Sequence, residues 1–134
     1  MKTITIKLLV DVARALEKRE LNDDLYMFDN QRRAGSQHEG TNRLATVASE
    51  GDTVVWTVAA VECEAYVALA KLDIDPDYCE VQRKVYPETD IAYWVGKVKK
   101  PIAELAYGMS FELVRGGLVM STSGNAKLIA PRHE

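Results

Sequence analysis

Three aspartates at alternate positions are the first candidates for metal chemistry. Asp73, Asp75 and Asp77 have the spacing of the first half of a calcium-binding loop, in which hard oxygen ligands converge on the cation. The second half of that pattern is missing, because Tyr78 stands where the turn needs glycine and Lys84 where the site needs a bidentate glutamate. We therefore interpret the segment as an acidic surface loop and leave calcium binding open.

The histidines and cysteines form no catalytic or metal-binding pattern. His38 lies beside Glu39, but adjacent loop residues rarely face each other, and no nucleophile is marked out for them to activate. His133 is close to the C-terminus, where fraying is expected. Cys63 and Cys79 lack CxxC spacing, so we expect both to be reduced, and a disulfide would require export. The sequence predicts no catalytic residue, no metal site and no cofactor.

A long polar loop at residues 29–43 is the predicted place for a ligand site. Loops longer than about 12 residues are uncommon in compact domains and are often functional. The alternative is that Gly35 and Gly40 make the turns and the polar side chains only keep the loop solvated. The candidate ligand-binding residues can donate and accept hydrogen bonds in several directions, as recognition of a polyol or a carboxylate requires: Asp29, Asn30, Arg32, Arg33, Gln37, His38 and Glu39.

Five aromatic residues offer a second kind of binding surface. Trp56, Trp94, Tyr66, Tyr93 and Tyr107 could include a platform on which a sugar stacks. Packing in the core is the default for Trp56, which shares one face of its predicted strand with Val54, Val58 and Ala60. The default is weaker for Trp94, because Tyr93 must point to the opposite face of the same strand.

The composition is that of a folded protein without the charge expected of a nucleic-acid binder. The 134 residues are 47% apolar and 28% charged, with 17 Lys+Arg against 20 Asp+Glu and a net charge of −3. This length predicts one domain over residues 1–134. No apolar run approaches the roughly 18 residues needed to cross a bilayer, and the N-terminus does not resemble a signal peptide. We expect a soluble, cytoplasmic protein with no nucleic-acid partner and no membrane-spanning segment.

Alternating apolar residues predict that these candidates are positioned by β-strands. The clearest alternations are at residues 2–12 and 105–114. Between the first two strands, residues 12–21 are good helix formers, with Asp11 as N-cap and Asn22 as a left-handed stop. The remaining predicted strands are residues 25–29, 44–49, 53–61, 66–72, 92–98, 118–122 and 126–130.

The connections between strands complete the prediction. Glu50, Gly51 and Asp52 predict a hairpin between residues 44–49 and 53–61, so Gly51 and Asp52 are assigned a structural role, as is Trp56. A turn is predicted at 123–125, and residues 74–91 are interpreted as irregular. The fold class is an antiparallel β-sandwich of about 7–9 short strands with one short helix near the N-terminus, with a barrel as the alternative.

Two glycine-containing segments resemble the AidA/PixA family of bacterial inclusion-body proteins. Residues 35–41 match a G-S-x-x-E-G-T segment, and residues 51–58 match the G-D/Q-T-x-x-W-x-V segment that follows it. The likeness continues through the first strand, through residues 25–29 and 94–98, and into the turn at 117–121.

The resemblance implies a small β-sandwich that accumulates in bacteria and is linked to host association or virulence. It implies no established catalytic activity, and it leads us to expect a non-enzymatic protein that self-associates. Lys97, Lys99 and Lys100 are predicted to protect one sheet edge, which favours a discrete homo-oligomer over open aggregation. The alternative is a module that binds carbohydrate or another host ligand.

Overall fold

The computed structural model describes residues 1–122 and 126–131, which form a β-sandwich with one short α-helix. The predicted all-β class and the helix near the N-terminus are confirmed. The turn predicted at 123–125 and His133 lie outside the described residues. In chain order the elements are β1 (Thr3–Val10), α1 (Val12–Lys18), β2 (Leu25–Asp29), β3 (Ala45–Val47), β4 (Thr53–Ala60), β5 (Ala68–Asp73), β6 (Cys79–Val85), β7 (Ala92–Val98), β8 (Glu104–Glu112), β9 (Val119–Ser121) and β10 (Ala126–Ile129).

The strands form two mixed sheets. The first sheet has the order β2-β1-β4-β7-β6 and the second has the order β3-β10-β8-β5, with β9 also paired to β8. Most pairings are antiparallel, but β1 with β4 and β3 with β10 are parallel. Parallel neighbours need long crossover connections, and these pairs are joined through stretches that hold several other elements. Local sequence patterns therefore do not reveal them.

The N-terminal strand and helix form as their residue patterns dictate. Ile4, Ile6, Leu8 and Val10 of β1 are all fully buried, while the residues between them face away from the core. The Asp11 carboxylate caps α1 by accepting a hydrogen bond from the Arg14 N–H at 3.3 Å. α1 has seven residues, and no helix in the described part of the chain is long and apolar enough to cross a membrane.

The helix ends earlier than predicted. Arg19, with φ of 55°, is the left-handed residue, and its N–H donates to the Ala15 carbonyl. Asn22 instead begins a short 3₁₀ helix at Asn22–Asp24. Leu21 is almost fully buried, so the chain must leave the helix before it in order to turn that side chain into the core.

The hairpin predicted at Glu50-Gly51-Asp52 is wrong. β3 lies in the second sheet beside β10, and β4 lies in the first sheet between β1 and β7, so this connection crosses from one sheet to the other. Asp52 holds the crossing, because its carboxylate accepts from the Lys2 N–H at 3.1 Å and from the Ser49 N–H at 2.9 Å. A short glycine-containing connection suits both geometries, and the pattern alone does not distinguish them.

Residues 74–91, interpreted as irregular, contain strand β6. It pairs with β7 at seven positions, from Cys79 opposite Val98 to Val85 opposite Ala92. β6 is an edge strand, and most of its side chains are exposed. The apolar alternation that marks a half-buried strand is therefore weak here.

The core joins the two sheets through an aromatic pair. Trp56 of β4 is 0% exposed and Tyr107 of β8 is 2% exposed, with their ring centroids 5.7 Å apart in an edge-to-face arrangement. The Trp56 Nε1–H donates to the Tyr107 hydroxyl at 3.3 Å. Burial raises the pKa of Tyr107 well above its usual value, which keeps this hydroxyl protonated.

Candidate functional site

The polar loop at residues 29–43 covers the edge of the first sheet. The Gly40 N–H donates to the Met27 carbonyl of β2 at 2.7 Å, and the Asp29 N–H donates to the Glu39 carboxylate at 2.9 Å. These bonds use backbone groups of β2 that face away from β1. The loop thus satisfies the edge that β2 would otherwise expose.

The same loop also covers the edge of the second sheet. Gln37 and Ala45 of β3 exchange two backbone hydrogen bonds of 2.9 Å. The Ser36 hydroxyl accepts from the Val47 N–H at 3.0 Å, and the Gln31 side-chain amide donates to the Val47 carbonyl at 3.0 Å. We call this flank of the sandwich, at β2 and β3, the closed side.

The seven candidate ligand-binding residues divide between two situations. Asp29 accepts from the Gln31 N–H, Asn30 bonds to the β1 backbone and Glu39 accepts from Asp29, so three of the seven stabilise the fold. The side chains of the other four, Arg32, Arg33, Gln37 and His38, are exposed, although the Gln37 backbone is bonded to β3. The loop is therefore ordered by its own hydrogen bonds, and its role as a ligand site stays a prediction.

A cleft opens on the opposite flank, where β5 and β6 are the edges of the two sheets. Its volume is about 520 Å³, and its lining includes Tyr66, Leu69, Arg83, Asp90, Trp94 and Arg115. The half-buried Trp94 of β7 spans the sheets here, because its Nε1–H donates to the Leu69 carbonyl of β5 at 2.9 Å. This bond fixes the indole ring in the wall of the cleft.

Tyr66 and Arg115 form a braced pair at the cleft. The Tyr66 hydroxyl donates to the Glu112 Oε1 at 2.6 Å, and this carboxylate oxygen also accepts from the Gly116 N–H at 3.3 Å. The Arg115 guanidinium carbon lies 4.6 Å from the centroid of the Tyr66 ring, within cation–π range. The hydrogen bond with Glu112 raises the pKa of Tyr66, and the same bond lowers the pKa of Glu112. Near neutral pH the phenol is therefore protonated and the carboxylate is ionised.

Two cations and two carboxylates lie at the cleft. Arg83 and Arg115 contribute the guanidiniums, Asp90 contributes one carboxylate to the lining, and the second is the Glu112 carboxylate bonded to Tyr66. In the described part of the chain, no carboxylate oxygen lies within 4 Å of a nitrogen of either arginine. Both cations are therefore available to an anionic ligand.

The sequence identified the aromatic half of this site but not the charged half. Tyr66 and Trp94 were two of the five aromatic candidates, whereas Tyr107 lies in the core and Tyr93 stacks on Tyr86 with centroids 4.4 Å apart. Trp56 is fully buried at the inner end of the cleft. Arg83 and Arg115 carried no signal, because only the fold brings their segments together.

The acidic segment forms a turn. The Asp75 carboxylate accepts from the Asp77 N–H at 2.9 Å, and its carbonyl accepts from the Tyr78 and Cys79 amides. Among residues 1–122 and 126–131, no three His, Cys, Asp or Glu side chains lie close enough to hold a metal ion.

The two cysteines form no disulfide with each other. Cys63 is exposed and Cys79 is buried, and both are free thiols.

The chain is similar to known proteins in sequence and in fold. A family model described as a domain of unknown function (DUF8788) matches residues 2–118. The crystal structure of an inclusion body protein (PixA) from Burkholderia cenocepacia J2315 superposes with a TM-score of 0.73, covering 96% of this chain and 94% of that one at 12% identity. This confirms the resemblance to PixA at the level of the fold. No curated protein sequence matches the chain.

Proposed function

The chain belongs to the DUF8788 family and has the fold of an inclusion body protein, and from this we propose that it is a non-enzymatic protein that accumulates by self-association. The observation that carries the proposal is the difference between the two edges of the first sheet. The β2 edge is covered by the 29–43 loop, whereas β6 is the other edge strand. We place the accumulated protein in the cytoplasm, which cell fractionation followed by immunoblotting would test.

The backbone of β6 is arranged to accept another strand. At the ends of the β6–β7 ladder, the Tyr86 N–H donates to the Ile91 carbonyl and the Lys99 N–H donates to the Tyr78 carbonyl. In an antiparallel pair, alternate residues bond to the neighbour, so the even-numbered positions of β6 face β7. The N–H and C=O groups of Val81, Arg83 and Val85 consequently face outward, away from the sheet.

The side chains of β6 favour a second copy of the same chain as the partner. An antiparallel pairing of two β6 strands about Gln82 brings the outward backbone groups of Val81 opposite those of Arg83 in the second copy. It also places Glu80 opposite Lys84 of the second copy, twice, on the solvent face, where both side chains are exposed. A pairing centred one residue later would place the two copies of Arg83 opposite each other. Charge therefore favours the register centred on Gln82 over the one centred on Arg83.

The lysines predicted to protect an edge do not lie on one. Lys97 is on β7, which lies between β4 and β6, and Lys99 pairs with Glu80 at 3.8 Å. On the solvent face of the actual edge, Glu80 and Lys84 have opposite signs and can complement each other in a symmetric pair.

Sedimentation velocity over a concentration series tests the proposal. The wild-type chain should pass from a monomer of 14.9 kDa to a dimer. Glu80→Lys and Lys84→Glu should each weaken the dimer about tenfold, because each places like charges opposite one another, and the double variant should recover most of the loss. Lys7→Glu, at an exposed position of the interior strand β1, is the charge-matched control. A wild-type chain that stays monomeric, or a dimer that both single variants leave unchanged, would overturn the proposal.

A second candidate function is recognition of a carbohydrate or another host ligand. It is favoured by the cleft between β5 and β6, with its fixed indole ring and two arginines that form no ion pair within 4 Å among the described residues. The sequence-based site on the 29–43 loop remains a competing location, through its exposed Arg33 and His38. If a ligand found by screening binds equally to the Arg33→Ala, His38→Ala double variant, the loop is not its site.

A further inference from the structure

We propose that the cleft between β5 and β6 binds a sugar that carries a single carboxylate, such as a uronic acid. The inference rests on the second candidate function and specifies both its site and its class of ligand. Three properties of the cleft support it: its aromatic wall, its two arginines and the bracing of Arg115.

The aromatic wall matches the apolar face of a sugar ring. The Trp94 indole is held by its hydrogen bond to Leu69, so a ligand that stacks on it does not have to order the ring first. Val85 and Ile91 extend this apolar wall and are 45% and 61% exposed. A pyranose offers one face of C–H groups to such a surface and keeps its hydroxyls at the periphery.

The two arginines of the cleft suit a carboxylate. The guanidiniums of Arg83 and Arg115 can each bind a carboxylate through two parallel N–H donors. The carboxylates of Asp90 and of the ionised Glu112, which is bonded to Tyr66, offset these two cations, so the cleft lacks the excess of positive charge that a polyphosphate requires. Asp90 also supplies an acceptor for sugar hydroxyls, which a simple aromatic acid lacks.

One of the two cations is held in place before a ligand arrives. Arg115 packs on the Tyr66 ring, and that ring is fixed by the 2.6 Å bond from its hydroxyl to Glu112. Arg83 is exposed on the edge strand β6. A ligand therefore meets one fixed cation and one fixed indole ring, which reduces the entropy lost on binding.

Titration with sodium glucuronate, followed by tryptophan fluorescence and calorimetry, tests the inference. Glucuronate should bind at least about tenfold more tightly than glucose, which has the same ring without the charge, and than benzoate, which has the charge without the hydroxyls. Arg83→Gln should reduce the affinity for glucuronate about tenfold or more, whereas Arg33→Gln on the closed side should not change it. Because Arg83 is exposed, its replacement is expected to leave folding intact, which a thermal melt verifies.

The possible results distinguish a failure of the proposed ligand class or site from a failure of carbohydrate recognition as a function. Equal binding of glucuronate and glucose, or no binding of glucuronate at millimolar concentrations, would overturn the ligand class. Binding of glucuronate that Arg33→Gln removes and Arg83→Gln does not would support carbohydrate recognition but overturn the cleft as its site. Failure of every sugar to bind, with a charge-sensitive dimer still observed, would remove the second candidate function and leave self-association.

Discussion

The contact between Trp56 and Tyr107 gives the most direct test of what holds the two sheets together. Trp56 is fully buried, and it is the residue through which β4 reaches β8 across the core. Replacing it with alanine removes a large aromatic side chain, leaves a cavity and deprives the buried Tyr107 hydroxyl of its donor. Removal of a buried aromatic side chain costs about 3–5 kcal/mol, which approaches the stability of many domains.

Urea unfolding and thermal melting of Trp56→Ala measure this cost. The expected loss in the free energy of unfolding corresponds to a fall of about 10–20 °C in Tm for a chain of this size. Trp94→Ala is the matched control, because it removes the same side chain from a half-buried site and should cost less. If Trp56→Ala does not fold, Trp56→Phe retains a ring and should lose about 1–3 kcal/mol. A Trp56→Ala protein that melts within about 2 °C of wild type would refute the role of this residue as the core anchor.

Three further predictions concern the cleft, the closed side and the thiols. Tyr66→Phe should be less stable than wild type at neutral pH. The difference in free energy of unfolding should shrink as pH falls below about 4.5, where Glu112 takes up a proton first in the unfolded state and then in the folded state. It should shrink again as pH rises above about 10, where the Tyr66 phenol ionises. Urea unfolding at several pH values measures both limits. Ser36→Ala removes the acceptor for one β3 edge amide and should cost about 1 kcal/mol, with faster hydrogen exchange at that amide, and unchanged exchange would contradict the edge-covering role. Burial raises the pKa of the Cys79 thiol to about 11, so a thiol reagent at pH 8 should modify the exposed Cys63 much faster, as peptide mass spectrometry would show.

The sequence predicted the strands in which apolar and polar side chains alternate, and it missed β6, in which they do not. Residues 92–98 form a strand with the predicted bounds, and β1 begins one residue after its predicted start. β6 was missed because an edge strand with charged, exposed side chains lacks the alternation on which the prediction depends. The hairpin was wrong because the parallel partners of β3 and β4 lie far away in the chain.

The same limit applies to the cleft. Tyr66 and Trp94 could be named in advance, since aromatic residues are conspicuous candidates wherever they occur. Arg83 and Arg115 could not, because their importance comes from lying in one cleft, and residue type and local spacing do not encode that proximity. The polar loop was chosen as a ligand site for its length and polarity, yet much of that polarity serves the hydrogen bonds that cover β2 and β3.

The closed side limits how far a sheet can grow from one molecule to the next. Among the described residues, β2 is already bonded to the 29–43 loop and β6 is the other edge of the first sheet, so the proposed β6 pairing gives each molecule one such contact. Two molecules paired about a two-fold axis use both free β6 edges and leave none for a third. In the proposed dimer, growth of a fibre by continuing this sheet is therefore blocked, and any larger body would assemble from dimers through other surfaces. Such bodies would dissolve back into folded dimers when those weaker contacts are lost.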